Sequence, residues 1–176
     1  MRFPSTGSIL EFGYCQNEDD VYRYMSAEYD FIGIDELTHW TEYMYRLMVS
    51  RLRTTKDYVF PNFFAATNPG SVGHSWCKKL WIDKNPDPFD YPDYRPEDYK
   101  FIPSKVWDNP DLINADPAYI ERLKNLPETE RRAFLEGDWD IFAGQFFTEF
   151  RREFHVTKPR PVPTWHRRII GIDWGF

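Results

Sequence analysis

Two adjacent carboxylates, Asp35 and Glu36, come directly after a continuously apolar stretch at residues 31–34. Such a stretch is typical of a strand covered on both faces in a parallel sheet, and the carboxyl ends of these strands are where α/β folds bind ligands. In a P-loop ATPase an aspartate at this place holds Mg²⁺ and the following glutamate orients the attacking water. The pattern alone also fits any strand that ends at a loop, so it needs context.

Thr67 and Asn68 supply that context, because they follow a second apolar stretch at residues 59–66. Only one helix fits between the two predicted strands, which makes a βαβ unit with parallel strands and neighbouring ends. A polar pair at this place could sense the γ-phosphate of ATP and relay its loss. The alternative is an ordinary turn, since Asn-Pro-Gly favours turns.

A third apolar stretch, residues 168–173, also ends in a carboxylate, Asp173, and Trp174-Gly175 follow it. Ribonuclease H-like nucleases present their first metal-binding carboxylate on a strand in this way. Two-metal cleavage requires several such carboxylates, and this chain carries one at its end. The alternative is a strand end without a metal.

The remaining pattern predicts the elements that position these residues. We expect a strand at residues 8–14, a helix at 18–26 capped by Asn17, and a helix at 40–53. The apolar stripe of the long helix consists of Trp40, Tyr43, Met44, Leu47 and Met48. Residues 86–117 are rich in proline and can hold little regular helix, and are predicted to form an irregular, packed excursion. A helix begins at Asp116-Pro117, and a shorter one runs from Pro127 to Gly137.

Composition narrows the class of protein. The chain has 176 residues, 19% of them aromatic and 28% charged, and no apolar run approaches the roughly 20 residues that span a bilayer. Two cysteines can form neither a disulfide framework nor a four-ligand zinc site, which favours a cytoplasmic protein. The net charge is −6, but the stretch from Arg151 onward is basic and could contact phosphate or simply be a solvated linker.

In the order of its motifs the chain resembles the large terminase subunit of tailed bacteriophages, a DNA-packaging ATPase and nuclease. The resemblance covers essentially the whole chain. It is carried by YDFIGIDELTHW (29–40), FFAATNPG (63–70) and RIIGIDWGF (168–176), and is supported by SRLR (50–53) and by residues 108–140.

The resemblance implies a role for each candidate residue. Asp35 would be the Mg²⁺-associated acid and Glu36 the catalytic glutamate, Thr67 and Asn68 the coupling residues, and Asp173 the first nuclease carboxylate. Arg51 and Arg53 would contact phosphate or a neighbouring subunit, or else form a solvated helix end.

The resemblance also implies an organisation and partners. The expected fold is α/β: the later part of a P-loop (ASCE-type) parallel-sheet ATPase core at 1–140 with a small helical lid from about 71. A connector at 141–163 and the first strand of an RNase H-like nuclease domain at 164–176 follow. The implied cofactors are ATP and Mg²⁺, with a second divalent metal for the nuclease. The implied partners are double-stranded DNA, the portal protein, the small terminase subunit and further copies in a ring, inside the bacterial host and without a membrane.

The chain departs from that family in one respect, since Gly-x-x-x-x-Gly-Lys-[Ser/Thr] is absent from its 176 residues. Without that loop little remains to hold the β- and γ-phosphates, so we expect an internal fragment that is inactive alone. The competing hypothesis is a non-catalytic prophage relic, or a module that binds DNA or another subunit through its basic stretch. A helicase or recombination ATPase would share the Asp-Glu strand but not the GIDWG ending.

Overall fold

Two parallel strands, β1 (Phe31–Asp35) and β2 (Asn62–Ala66), lie next to each other in register from Phe31↔Asn62 to Asp35↔Ala66. The helix α1 (Glu42–Val49) lies between them in the chain. The predicted βαβ unit with parallel strands is therefore confirmed, and the fold is mixed α/β around a small sheet.

The computed structural model describes residues 1–141 and 152–158 and the single positions 161, 163, 165, 167 and 169. The chain divides into two units, Met1–Gln145 and Phe146–Phe176. In the second unit a short helix, α6 (Arg152–His155), is described. All other elements named below belong to the first unit.

One face of the sheet is buried. Ile32 and Ile34 of β1 are 6% and 7% exposed, whereas Phe31 is 57% exposed. On β2 the same alternation leaves Phe64 61% exposed. The expectation that β1 is covered on both faces is wrong for the described part of the chain, because α1 and the aromatic side chains pack against a single face.

The helix α1 is shorter than predicted. It begins after Thr41, whose Oγ1 accepts the Met44 N–H at 3.3 Å, and it ends at Val49 instead of Arg53. Beyond it the chain turns and pairs with the residues before β1. The Tyr29 N–H donates to the Arg51 carbonyl at 3.0 Å, and the Arg53 N–H donates to the Tyr29 carbonyl at 3.2 Å. This pairing competes with helical hydrogen bonds and ends α1 early.

The apolar stripe of α1 differs from the predicted one in two positions. Met44 and Met48 are buried as expected, but Tyr43 is 45% exposed and Tyr45 is buried in its place. Tyr45 stacks on Trp76 with ring centroids 5.0 Å apart and meets Trp81 edge-on at 5.3 Å. Tyr45 is buried in preference to Tyr43 because it contacts aromatic rings from a distant segment of the chain. Such aromatic pairs stabilise the fold beyond the contribution of the buried area.

The segment after β2 contains several short helices. α2 (His74–Cys77) continues directly as a π-helical turn, Lys78–Ile82, and two further helices follow, α3 (Pro110–Ala115) and α4 (Ala118–Lys124). α5 (Glu128–Arg131) continues as a second π-helical turn, Arg132–Glu136. The predicted end at Gly137 is confirmed, since this residue has φ 62° and caps the turn in the left-handed region.

Two hydrophobic clusters hold the first unit together. The larger one joins β1, α1 and α2, and its buried side chains include Val21, Ile32, Met44, Trp76 and Leu80. Tyrosines of the proline-rich excursion pack against it, namely Tyr91, Tyr94 and Tyr99, so this excursion is packed, as predicted. Its regular helix is limited to α3, near its end. The smaller cluster contains Ile120, Leu123 and Leu135 from α4 and the second π-helical turn.

The prediction of an N-terminal strand at residues 8–14 is wrong. A single antiparallel bridge joins Arg2 to Ile9, and Ile9 and Phe12 are 73% and 81% exposed. A strand requires a continuous ladder with a partner. In this segment side chains form hydrogen bonds with backbone groups that a β-ladder would otherwise use. For example, the Tyr24 hydroxyl donates to the Tyr14 carbonyl at 3.0 Å.

Asn17 caps the next element, as predicted, but this element is a 3-10 helix at Glu18–Tyr24 and ends before the predicted residue 26. Its Oδ1 accepts the Asp20 N–H at 3.2 Å. Among the helices that the structure describes, none is long and apolar enough to cross a membrane.

Replacing Asn17 with Ala removes this acceptor, and we expect it to lower the free energy of unfolding by about 1 kcal/mol. Urea denaturation followed by tryptophan fluorescence measures the change. Asn17→Ser keeps a capping oxygen and is the matched control. An equal loss in both variants would show that the cap is not the source of the stability.

Candidate nucleotide site at the carboxyl ends of the strands

The ends of β1 and β2 bring the two sequence motifs together. Because Asp35 is in register with Ala66, the chain leaves both strands at the same edge of the sheet, with Glu36 following β1 and Thr67 following β2. All four predicted residues at this edge, Asp35, Glu36, Thr67 and Asn68, are thus placed on two adjoining turns. Side chains on adjoining strand ends can act on one ligand.

The backbone after Asp35 takes an unusual turn. Glu36 has φ 52° and ψ 53°, in the left-handed region, and its N–H donates to Asp35 Oδ1 at 3.1 Å. A non-glycine residue in this region costs about 1–2 kcal/mol, and such residues concentrate at functional sites. The short 3-10 helix Leu37–His39 begins immediately afterwards. The turn leaves Asp35 exposed and Glu36 half-buried.

A threonine that the motif analysis did not single out connects the two turns. Thr38 is 2% exposed, and its N–H donates to Thr67 Oγ1 at 3.0 Å. The Thr38 and Thr67 hydroxyl oxygens are 2.8 Å apart, and the Thr38 hydroxyl donates to the Asn68 carbonyl at 3.0 Å. These bonds join the turn that carries Glu36 to the turn that carries Asn68.

The Asn68-Pro69-Gly70 turn is tied to the helix that follows it. Gly70 has φ 116°, a region that favours glycine, and its N–H donates to His74 Nδ1 at 2.9 Å. The Gly73 N–H donates to the Thr38 carbonyl at 2.7 Å. The start of α2 therefore contacts both turns of the candidate site.

The side chains at this edge could bind Mg²⁺ only if water and substrate phosphates supplied the other ligands. Among the described residues, no group of three or more His, Cys, Asp or Glu side chains could hold a metal ion. Asp35 and Glu36 supply two carboxylates, and Asp35 Oδ1 already accepts the Glu36 N–H. Mg²⁺ is often bound by one or two carboxylates, with waters and substrate phosphates as the other ligands, and this donor set fits that arrangement.

Arg51 and Arg53 lie at the opposite end of β1 from the acids. They flank Leu52, which forms a parallel bridge with Tyr29, six residues before Asp35. At about 3.3 Å per residue that separation is roughly 20 Å. Arg51 Nη1 donates to the Met25 carbonyl at 2.6 Å, and Arg53 Nε lies 3.2 Å from a Glu28 carboxylate oxygen. The structure therefore does not bring either arginine to the edge that carries Asp35 and Glu36.

The nuclease-like carboxylate Asp173 lies outside the described residues, as do Arg151, Arg160 and Arg168 of the basic stretch. In that stretch Lys158 and Arg167 are described, and both are exposed.

Comparison with known proteins identifies the family. Residues 2–154, most of the chain, match the family model described as terminase large subunit, T4likevirus-type, N-terminal. No curated protein and no solved structure matches the chain. The match includes both strands, all of α1 to α5 and the candidate site. The chain therefore belongs to the T4-like terminase large subunit family, a component of the DNA-packaging machinery of bacteriophages.

Proposed function

We propose that this chain supplies the acidic and coupling parts of an ATPase that drives double-stranded DNA into a capsid. In this proposal residues 1–140 are the later part of a P-loop, ASCE-type core with a helical lid. The observation that carries it is the hydrogen-bonded contact between Thr38 and Thr67, which joins a strand end bearing Asp-Glu to the next strand end.

Asp35 would hold Mg²⁺ through water molecules. The ion, when bound with ATP, would neutralise charge that develops on the transferred phosphoryl group. The Glu36 N–H bond to Asp35 Oδ1 fixes the orientation of this carboxylate. Because the side chain is exposed, the remaining oxygen can reach water around the ion.

Glu36 would accept a hydrogen bond from the attacking water and orient it. Its left-handed backbone sets the direction in which the side chain leaves the strand end. Orientation of the nucleophile is the main contribution that the protein makes to phosphoryl transfer, together with electrostatic stabilisation.

Thr67 and Asn68 would couple hydrolysis to motion. A displacement of the turn that carries Glu36 shifts Thr38, and Thr38 is bonded both to the Thr67 hydroxyl and to the Asn68 carbonyl. The change would therefore pass to the turn after β2 without a rearrangement of the strands themselves.

The other parts of the proposed function involve the remaining candidate residues. Arg51 and Arg53, far from Asp35 along β1, would contact phosphate or a neighbouring subunit of a ring. Asp173 would open a nuclease site that uses two divalent metals. The proposed partners are the portal protein and the small terminase subunit.

The test begins with the coding DNA on both sides of these 176 residues. We expect a Gly-x-x-x-x-Gly-Lys-[Ser/Thr] sequence upstream and further strand-borne acids downstream. The longer protein should hydrolyse ATP, and Glu36→Gln should lower its turnover by about 100-fold or more, because one positioned catalytic group typically contributes roughly 10²–10⁴-fold. Glu97→Gln, at an exposed glutamate of the 3-10 helix Pro96–Asp98, is the matched control.

Each outcome decides between the proposals. Stop codons or unrelated genes on both sides would favour a relic or a binding module, in which Asp35 and Glu36 describe ancestry only. Equal turnover in Glu36→Gln and Glu97→Gln would contradict the catalytic role of Glu36. The 176-residue chain alone is expected to hydrolyse no more ATP than its Glu36→Gln variant, because it lacks the phosphate-binding loop.

A further inference from the structure

His74 is a buried imidazole next to the candidate site that the motif analysis left without a role. It is 6% exposed and is the first residue of α2. Its Nδ1 accepts the Gly70 N–H at 2.9 Å, which ties the ring to the turn after β2. Burial and the nearby Lys78 ammonium lower the pKa of His74, so the ring is neutral at pH 7 and Nδ1 is available as an acceptor.

The same ring also contacts Trp139, which is far from His74 in the sequence. The imidazole stacks on the Trp139 indole with ring centroids 5.3 Å apart and an interplanar angle of 23°. Trp139 in turn meets Phe101 edge-on at 6.1 Å. One rigid ring therefore touches the Gly70 amide and the Trp139 indole.

The segment that contains Trp139, Asp138–Ile141, is anchored on both sides of this tryptophan. Asp138 accepts from Arg132 Nε at 2.9 Å, and Arg132 is 4% exposed. Asp140 lies 2.9 Å from Lys78 Nζ, one helical turn after His74. Ile141 is 4% exposed. Displacement of Trp139 would consequently act on the π-helical turn Arg132–Glu136 and, through their shared cluster, on α4.

We propose that His74 is the positioning residue through which movement of the Thr67–Gly70 turn reaches Asp138–Ile141 and the helices attached to it. The proposal rests on the proposed ATPase function for the cause of that movement. The proposed path of movement consists of contacts within this chain, from the Gly70 amide through the His74 ring to Trp139. A shift of the Gly70 amide changes the hydrogen bond at Nδ1, and the ring transmits it because it is too closely packed to absorb it.

Two substitutions separate the contacts of the ring. His74→Phe keeps an aromatic ring against Trp139, but it removes the acceptor for the Gly70 N–H and the hydrogen bond of the imidazole to the Trp139 backbone. His74→Asn keeps an acceptor near the position of Nδ1 and removes the stacked ring. The proposed transmission needs both contacts, so each substitution should uncouple the turn from Trp139.

The experiment uses the indole N–H resonance of Trp139 in the ¹⁵N-labelled 176-residue chain, assigned with a Trp139→Phe variant. Thr67→Val perturbs the turn by removing the hydroxyl that Thr38 contacts. In the chain with His74 intact, this substitution should shift the Trp139 resonance. In the His74→Phe and His74→Asn backgrounds most of that shift should be lost.

Two results would overturn the proposal. One is a Trp139 resonance that Thr67→Val leaves unmoved when His74 is intact. The other is a shift that persists undiminished in both His74 backgrounds, even if these variants are less stable, because a purely structural role lowers stability without blocking the response. If His74→Phe does not fold, His74→Asn alone makes the same comparison. No nucleotide is present, so failure of the ATPase proposal would be seen only in the hydrolysis assay.

Discussion

Replacing Asp138 with Ala is expected to lower the free energy of unfolding by about 3 kcal/mol, the lower end of the range for breaking a buried ion pair. Arg132 is 4% exposed, and Asp138 accepts its Nε at 2.9 Å and its Nη2 at a shorter distance. Removing the carboxylate leaves a buried guanidinium without its counter-charge. Because the Asp138 side chain is itself 23% exposed, water offsets part of the penalty, which places the effect at the low end. Urea denaturation followed by tryptophan fluorescence measures it.

A surface ion pair provides the matched control for this substitution. Asp98 pairs with Arg95 at 2.7 Å, but their side chains are 48% and 67% exposed. Asp98→Ala should therefore cost about 0.5 kcal/mol. A second comparison removes both charges: Arg132→Met combined with Asp138→Ala should recover stability relative to Asp138→Ala alone. Equal losses for Asp138→Ala and Asp98→Ala would contradict the assignment of Arg132 as a buried cation held by Asp138.

Replacing Gly73 with Ala is expected to lower the free energy of unfolding by about 2 kcal/mol, since inserting an atom into a packed site commonly costs about 1–3 kcal/mol. The backbone at Gly73 is not the reason, because its φ of −88° suits any residue. An added Cβ would lie 2.5 Å from the Trp40 carbonyl oxygen and 2.8 Å from that of Thr38. Both are backbone atoms, so the chain itself must move. Thermal and urea denaturation measure the loss.

The same substitution should disturb the candidate site as well as stability. The Gly73 N–H donates to the Thr38 carbonyl at 2.7 Å, and Thr38 holds Thr67. Gly33→Ala is the matched control, because its Cβ would meet only the ring of exposed Phe31, at 3.3 Å, and that ring can turn away. We expect Gly33→Ala to change the free energy by no more than about 0.5 kcal/mol. A Gly73→Ala variant as stable as Gly33→Ala would show that the contact between α2 and Thr38 is looser than described.

The substitutions at Gly73 and Asp138 test two parts of one continuous set of contacts. The acids at the end of β1 are set by local backbone, but their relation to β2 depends on Thr38, and Thr38 depends on the start of α2. The start of α2 in turn carries His74 and contacts the Asp138–Ile141 segment. Stability changes at Gly73 and Asp138 therefore report on the two ends of one set of contacts.

Several elements could be predicted from the sequence because their causes lie within a few residues. The cap at Asn17 needs only the Asp20 N–H three residues later, and the end at Gly137 needs only a residue without a Cβ at positive φ. The strands β1 and β2 follow from apolar stretches, and the helix that connects them is the kind of crossover that a parallel pair of strands requires. For the same reason the adjacency of Glu36 and Thr67 at one sheet edge could be anticipated.

Tertiary structure alone decided the features whose partners are distant in the chain. Thr38 and Thr67 are 29 residues apart, and nothing in a local pattern distinguishes Thr38 from any other threonine after a strand. The choice of Tyr45 over Tyr43 for the core depends on Trp76, and the end of α1 depends on pairing of Arg51 with Tyr29. His74 becomes interpretable only when Gly70 and Trp139 are seen on its ring. Local propensity is set by neighbouring residues, whereas these contacts are set by packing of segments that meet only when the chain has folded.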